Sequence, residues 1–76
     1  MNINFILVPT EPCPAYGTEV SINLNCIAHV TLQPADRHRD RPAYIHIELN
    51  FNGMGSAINT TLPNWAAWTT LLAEHQ

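Results

Sequence analysis

Two sets of side chains in this 76-residue chain have the types and spacing to do chemistry. The first is His29, His46, Glu48 and Cys26. Imidazole, carboxylate and thiolate are the usual zinc ligands, and His46 and Glu48 stand two apart, on one face of a strand. His29 would join them from a neighbouring strand. The spacing lacks the paired close ligands of a structural zinc motif, so an ordinary polar sheet face is the plainer reading. Cys26 beside His29 or His46 would make a nucleophile only if a positive group drew off the thiol proton. No hydrolase signature surrounds it, and a small packed thiol is favoured. No catalytic set, metal or cofactor is expected.

The second set is the run Asp36-Arg37-His38-Arg39-Asp40-Arg41. A guanidinium is a planar fork that matches phosphate or carboxylate oxygens. One reading therefore has Arg37, His38, Arg39 and Arg41, with Tyr44 and His46 from the strand that follows, binding a small anionic ligand such as a nucleotide or metabolite. The competing reading is a solvated loop whose charges neutralise one another.

Composition narrows the field. Those three arginines are the only Lys or Arg residues, and the formal net charge is −3. Without lysine there is no Schiff-base chemistry, no P-loop and no lysine base. A net negative chain offers no field for a phosphate backbone, which argues against nucleic-acid binding. Hydrophobic residues make up 46% and charged residues 12%, about half the usual charged share of roughly 25%. Disorder is excluded on that ground. So little charge does little to hold copies apart, and a homo-oligomer is expected. The early apolar run Phe5-Ile6-Leu7-Val8 is far shorter than a membrane span and lacks the basic lead of an export signal, so no membrane contact and a cytoplasmic location are expected. Cys13 and Cys26 are then expected as reduced thiols.

The elements that must position these residues follow from periodicity. Ile3, Phe5 and Leu7 share a parity and mark a first strand, which Pro9 is expected to stop for want of an N–H. Pro9 to Gly17, rich in proline, reads as a stiff loop. Val20, Ile22 and Leu24 alternate with Ser21, Asn23 and Asn25 in a second strand. Ile27 to Leu32 makes a third, with Ala28, Val30 and Leu32 on one face. The phase breaks at Asn25-Cys26, where a tight turn or bulge would let Leu24 and Ile27 both reach the core. Gln33 to Pro42 is an exposed connection. Ala43 to Phe51 is the clearest strand, with Ile45, Ile47, Leu49 and Phe51 on one face and Tyr44, His46, Glu48 and Asn50 on the other. Asn52-Gly53 signals a type I′ hairpin leading to a strand over Met54–Thr60.

The tail reads as a helix over 63–75 that opens with Pro63 at its first position. Trp65, Trp68, Leu71, Leu72 and His75 recur at spacings of three and four. Trp65 and Trp68 are read first as core, and otherwise as an interface anchor, one ring facing the sheet and the other a second subunit. The sum is one α+β domain spanning 1–76: an antiparallel meander of four to five strands with one C-terminal helix, or a partly closed small barrel.

The run Val20-Ser21-Ile22-Asn23-Leu24-Asn25-Cys26-Ile27-Ala28-His29-Val30, followed by a strand, a Gly turn, a short strand and a helix, resembles small bacterial and phage proteins. The flagellar regulators of the FlbD type share this layout, with Asn23, Ile27, Val30 and Gly53 as the matching positions. The resemblance implies a fold and an interaction-type role, without catalysis. Three functions from different classes result. The first is a non-catalytic module acting through protein–protein contacts, and the second a small anionic-ligand binder using the Arg37–Arg41 loop. The third is a metal protein or enzyme built on His29, His46, Glu48 and Cys26.

Overall fold

The computed structural model describes residues 4–74. Five antiparallel strands fall into two sheets, followed by one helix. Strands β1 (Phe5–Cys13) and β2 (Gly17–Asn23) form one sheet, and β3 (Ile27–Gln33), β4 (Tyr44–Phe51) and β5 (Met54–Asn59) the other, in the order β3-β4-β5. The expected meander holds within each sheet but is interrupted between β2 and β3. Among the described residues the strands do not close into a barrel.

The β1–β2 sheet corrects the sequence reading twice. Pro9 does not end β1: it pairs with Glu19, and the ladder resumes after a register shift at Cys13 and Gly17. A proline lacks a donor but keeps its carbonyl, and Pro9 O accepts from Thr61 N at 3.2 Å. The stiff loop shrinks to the turn Pro14-Ala15-Tyr16. The buried parity is also the other one: Ile6 and Val8 are sealed in, while Phe5 and Leu7 stay exposed. Four consecutive apolar residues carry no alternation, and the partners decide. Ile6 and Val8 stand opposite Ile22 and Val20, whereas Phe5 and Leu7 oppose Asn23 and Ser21. Ile3 lies outside the described residues.

Between β2 and β3 the phase break takes physical form. Asn23 Oδ1 accepts from Asn25 N at 2.9 Å and opens a single 3₁₀ turn, Leu24–Cys26. A register shift follows between Ile27 and His29. The shift moves Ile27 to the same side as Val30, so Leu24, Ile27 and Val30 all rest on the core, as the bulge reading anticipated. Ala28 is exposed as a result, and Leu32 keeps only a marginal position.

Hairpin β4–β5 forms as the sequence indicates. Asn52 and Gly53 both have positive φ, 52° and 80°, the requirement of a type I′ turn. The facing pairs Ile47–Ile58, Leu49–Ser56 and Phe51–Met54 share one side. The two sheets meet at a corner where Thr10 bridges Thr60. Thr60 N also donates to Ile45 O at 2.9 Å, so residue 60 joins both sheets.

Helix α1 (Trp65–Glu74) starts two residues later than expected. Asn64 caps it, its Oδ1 accepting from Ala67 N at 2.8 Å, which leaves Pro63 just ahead of the cap. Trp68 joins Ile6, Val8, Ile22, Ile45, Ile47 and Ile58 in the core, and Leu71 and Leu72 pack against that cluster. Trp65 stays 45% exposed. His75, the last residue of the expected apolar face, lies outside the described residues.

Candidate functional site

The polar face of β4 carries Tyr44, His46 and Glu48 beside side chains of both neighbouring strands. Cross-strand register sets His29 beside Glu48, Thr31 and Asn59 on either side of His46, and Gln33 beside Tyr44. His29 Nε2 donates to Glu48 Oε2 at 2.7 Å. His46 Nδ1 and the Asn59 side-chain amide are hydrogen-bonded at 2.6 Å. His46 Nε2 then stands 3.6 Å from Glu48 Oε1. The structure thus brings His29, His46 and Glu48 together. Cys26 is elsewhere, on the wall of the cleft described below. Among the described residues no group of three or more His, Cys, Asp and Glu side chains is arranged to hold a metal ion. The side chains of the stripe satisfy one another on a half-exposed surface, where such contacts contribute little.

The arginines are dispersed in role. Arg41 Nη2 donates to Glu11 Oε1 of β1 at 2.8 Å, and its guanidinium lies 4.0 Å from the centre of the Tyr44 ring. Backbone bonds between Arg41 and Asp36 close the loop beneath it. Arg41 and Tyr44 therefore tie the loop to both sheets, a structural use of a charge that the anionic-ligand reading needs for a ligand. Arg37 and His38 lie on the exposed tip, where His38 N donates to Asp36 Oδ1. Arg39 reaches Asp36 only at 3.8 Å and is largely solvated. The hollow at the loop base, about 250 Å³, is walled by Asp36, Arg37, Asp40, Arg41 and Pro42, so its guanidiniums share it with two carboxylates.

A different region stands out, and it is apolar. The core-facing row of β4 starts with Ile45 and Ile47, both fully buried, passes through half-buried Leu49, and ends at Phe51, 63% exposed. The matching row of β5 runs from buried Ile58 through Ser56 to Met54, 74% exposed. The row that builds the core thus continues past the point where this chain covers it. Phe51 lies on the face expected of it, with Ile45, Ile47 and Leu49, but is left uncovered.

The space beside this row is a cleft of about 400 Å³ between the sheets. Phe5, Tyr16, Val20, Ser21, Ile22, Asn23 and Cys26 wall it on one side, and Leu49, Phe51, Met54, Ser56 and Ile58 on the other. None of these residues is an Asp, Glu, Lys, Arg or His. Burial, and then the neighbouring Cys13 thiol and Glu11 carboxylate, push the Tyr16 phenol above its ordinary value, so it too remains neutral. Four successive residues of β2 line the cleft, and β2 is an edge strand, so its backbone edge is presented there as well as its side chains. A second hollow, about 500 Å³, lies by Ala28 and the 48–50 and 55–57 segments, walled mainly by small and polar side chains.

Trp65 and Trp68 read from the sequence first as core and otherwise as an interface anchor, one ring facing the sheet and the other a second subunit. Trp68 is committed to the core of its own chain, while Trp65 remains exposed. Phe5, Phe51 and Met54 were missed as surface residues because an alternating pattern names a face without saying how far along the strand it is covered. Among the described residues no helix is long and apolar enough to cross a membrane. Compared with family models, curated proteins and solved structures, the chain matches none.

Proposed function

We propose that this protein is a non-catalytic interaction module that binds protein at the open end of its core. One observation carries the reading: the core-facing rows of β4 and β5 run out from buried Ile47 and Ile58 to exposed Phe51 and Met54 beside an uncharged cleft. With Phe5 at 53% exposure, those three side chains leave roughly 400 Å² uncovered, taking ~200 Å² for each in full exposure. Apolar patches of about 300–600 Å² are often functional. Aromatic and Met side chains are also the types enriched at protein interfaces. The anionic-ligand reading is weaker because Arg41 is paired with Glu11.

The test is photo-crosslinking in cells that make the protein. A benzophenone amino acid replaces Met54, with a control at Thr70, an exposed position on α1. The expected result is a discrete protein adduct at position 54 that the control does not give. Equal or absent adducts at the two positions would contradict the reading.

A further inference from the structure

We infer that the occupant of the open end is a second copy of this chain, related by a two-fold axis, each copy seating its β4–β5 hairpin tip in the other's cleft. The inference rests on the protein-binding reading and names the partner.

Shape is the first support. Residues 50–57 are exposed without a break, so both faces of the hairpin end are uncovered. The molecule measures 45 × 27 × 22 Å, and its radius of gyration of 12.7 Å exceeds the roughly 11 Å expected for a compact chain of this length. The tip carries Phe51 and Met54 directly opposite each other, a broad apolar knob. The hole for such a knob is adjacent and belongs to the same surface. A patch that presents both knob and hole is self-complementary, which is what a two-fold interface requires.

Charge is the second support. Each copy carries a net charge of −3, so two copies approach best where neither is charged. The cleft wall meets that condition along its whole length, including Tyr16, which stays protonated. The acidic groups Glu11, Glu19, Asp36 and Glu48 are absent from that wall.

Area is the third. A standard interface covers about 800 Å² per partner, of which 55–65% is apolar. Phe5, Phe51 and Met54 supply most of that apolar share, with Val20, Leu49 and the exposed edge of β2 available for the rest.

Sedimentation of the purified full chain over micromolar to millimolar concentrations tests the proposal. The chain should sediment at twice 8.5 kDa. Met54→Asp and Phe51→Asp, placed on exposed positions, should weaken dimerisation roughly 100-fold or more by burying a charge without a partner. Trp65→Asp should leave the dimer intact, and thermal melts check that each variant is folded. A dimer that survives both hairpin substitutions overturns the proposed interface. A monomer at all concentrations overturns the second copy as occupant. In that event binding of an apolar fluorescent dye, lost in Met54→Asp, would keep the protein-binding reading alive; absence of dye binding would remove both.

Discussion

Thr10 and Thr60 face each other across the bridge that joins the two sheets, and both are buried. Their hydroxyls fare differently. Thr60 Oγ1 accepts from Leu62 N at 3.1 Å, whereas Thr10 Oγ1 is sealed from solvent with no hydrogen-bond partner. A buried hydroxyl without a partner costs about 1–3 kcal/mol, and valine has nearly the same shape without it. Thr10→Val should therefore stabilise the protein by about 1 kcal/mol. Thr60→Val should destabilise it by about 1–2 kcal/mol, because Leu62 N loses its acceptor. Urea denaturation of the two variants checks the opposite signs; equal effects would mean the two hydroxyls are not distinguished as described. At the same scale, Arg41 donates through Nη2 to Glu11 and lies over the Tyr44 ring, while its buried Nε has no hydrogen-bond partner among the described residues.

At the scale of elements, helix α1 separates its two tryptophans. Trp68 is 7% exposed, in the same buried cluster as the isoleucines of both sheets, and Trp65 is 45% exposed. Trp68→Ala should cost roughly 3–5 kcal/mol, as expected for removing a large ring from a core, and Trp65→Ala less than about 1 kcal/mol. Thermal unfolding checks both; similar melting for the two variants would contradict the core assignment. How far such elements could be read from sequence depended on local signals. Hairpin β4–β5 was legible because strict alternation ended in Asn52-Gly53, whose turn admits one geometry. The 3₁₀ turn and bulge at 24–29 were legible as a break in phase between Leu24 and Ile27. Strand β1 was not, because Phe5-Ile6-Leu7-Val8 is apolar on both faces and only pairing with Val20 and Ile22 selects one. Past Pro9 the strand continues, with Pro9 O accepting from Thr61 N, a contact from the far end of the chain that no local pattern encodes. The open cleft escaped for a related reason. Phe51 lies on the core face by alternation, and its exposure depends on where the other sheet stops.

For the whole molecule, the two sheets and helix enclose a small core at one region and leave it open at another. Ile45, Ile47 and Trp68 are buried by the chain itself; Phe51 and Met54 are not. A 76-residue chain has little core to spare, and exposing these side chains to water forgoes stabilisation that a partner would recover. Covering Phe51 and Met54 is worth on the order of 2–4 kcal/mol from apolar burial alone. The central claim is therefore that Met54, the most exposed of the large apolar residues of the described chain, is covered when the protein is at work. Methionine oxidation reads that cover directly, since a brief pulse of peroxide converts exposed thioethers to sulfoxide. The measurement is the oxidation rate of Met54 by mass spectrometry, in intact cells and in the purified protein diluted to nanomolar concentration. Several-fold slower oxidation in cells, reaching the rate of a solvated methionine on dilution, is the predicted result. Oxidation at the solvated rate under both conditions would contradict the account.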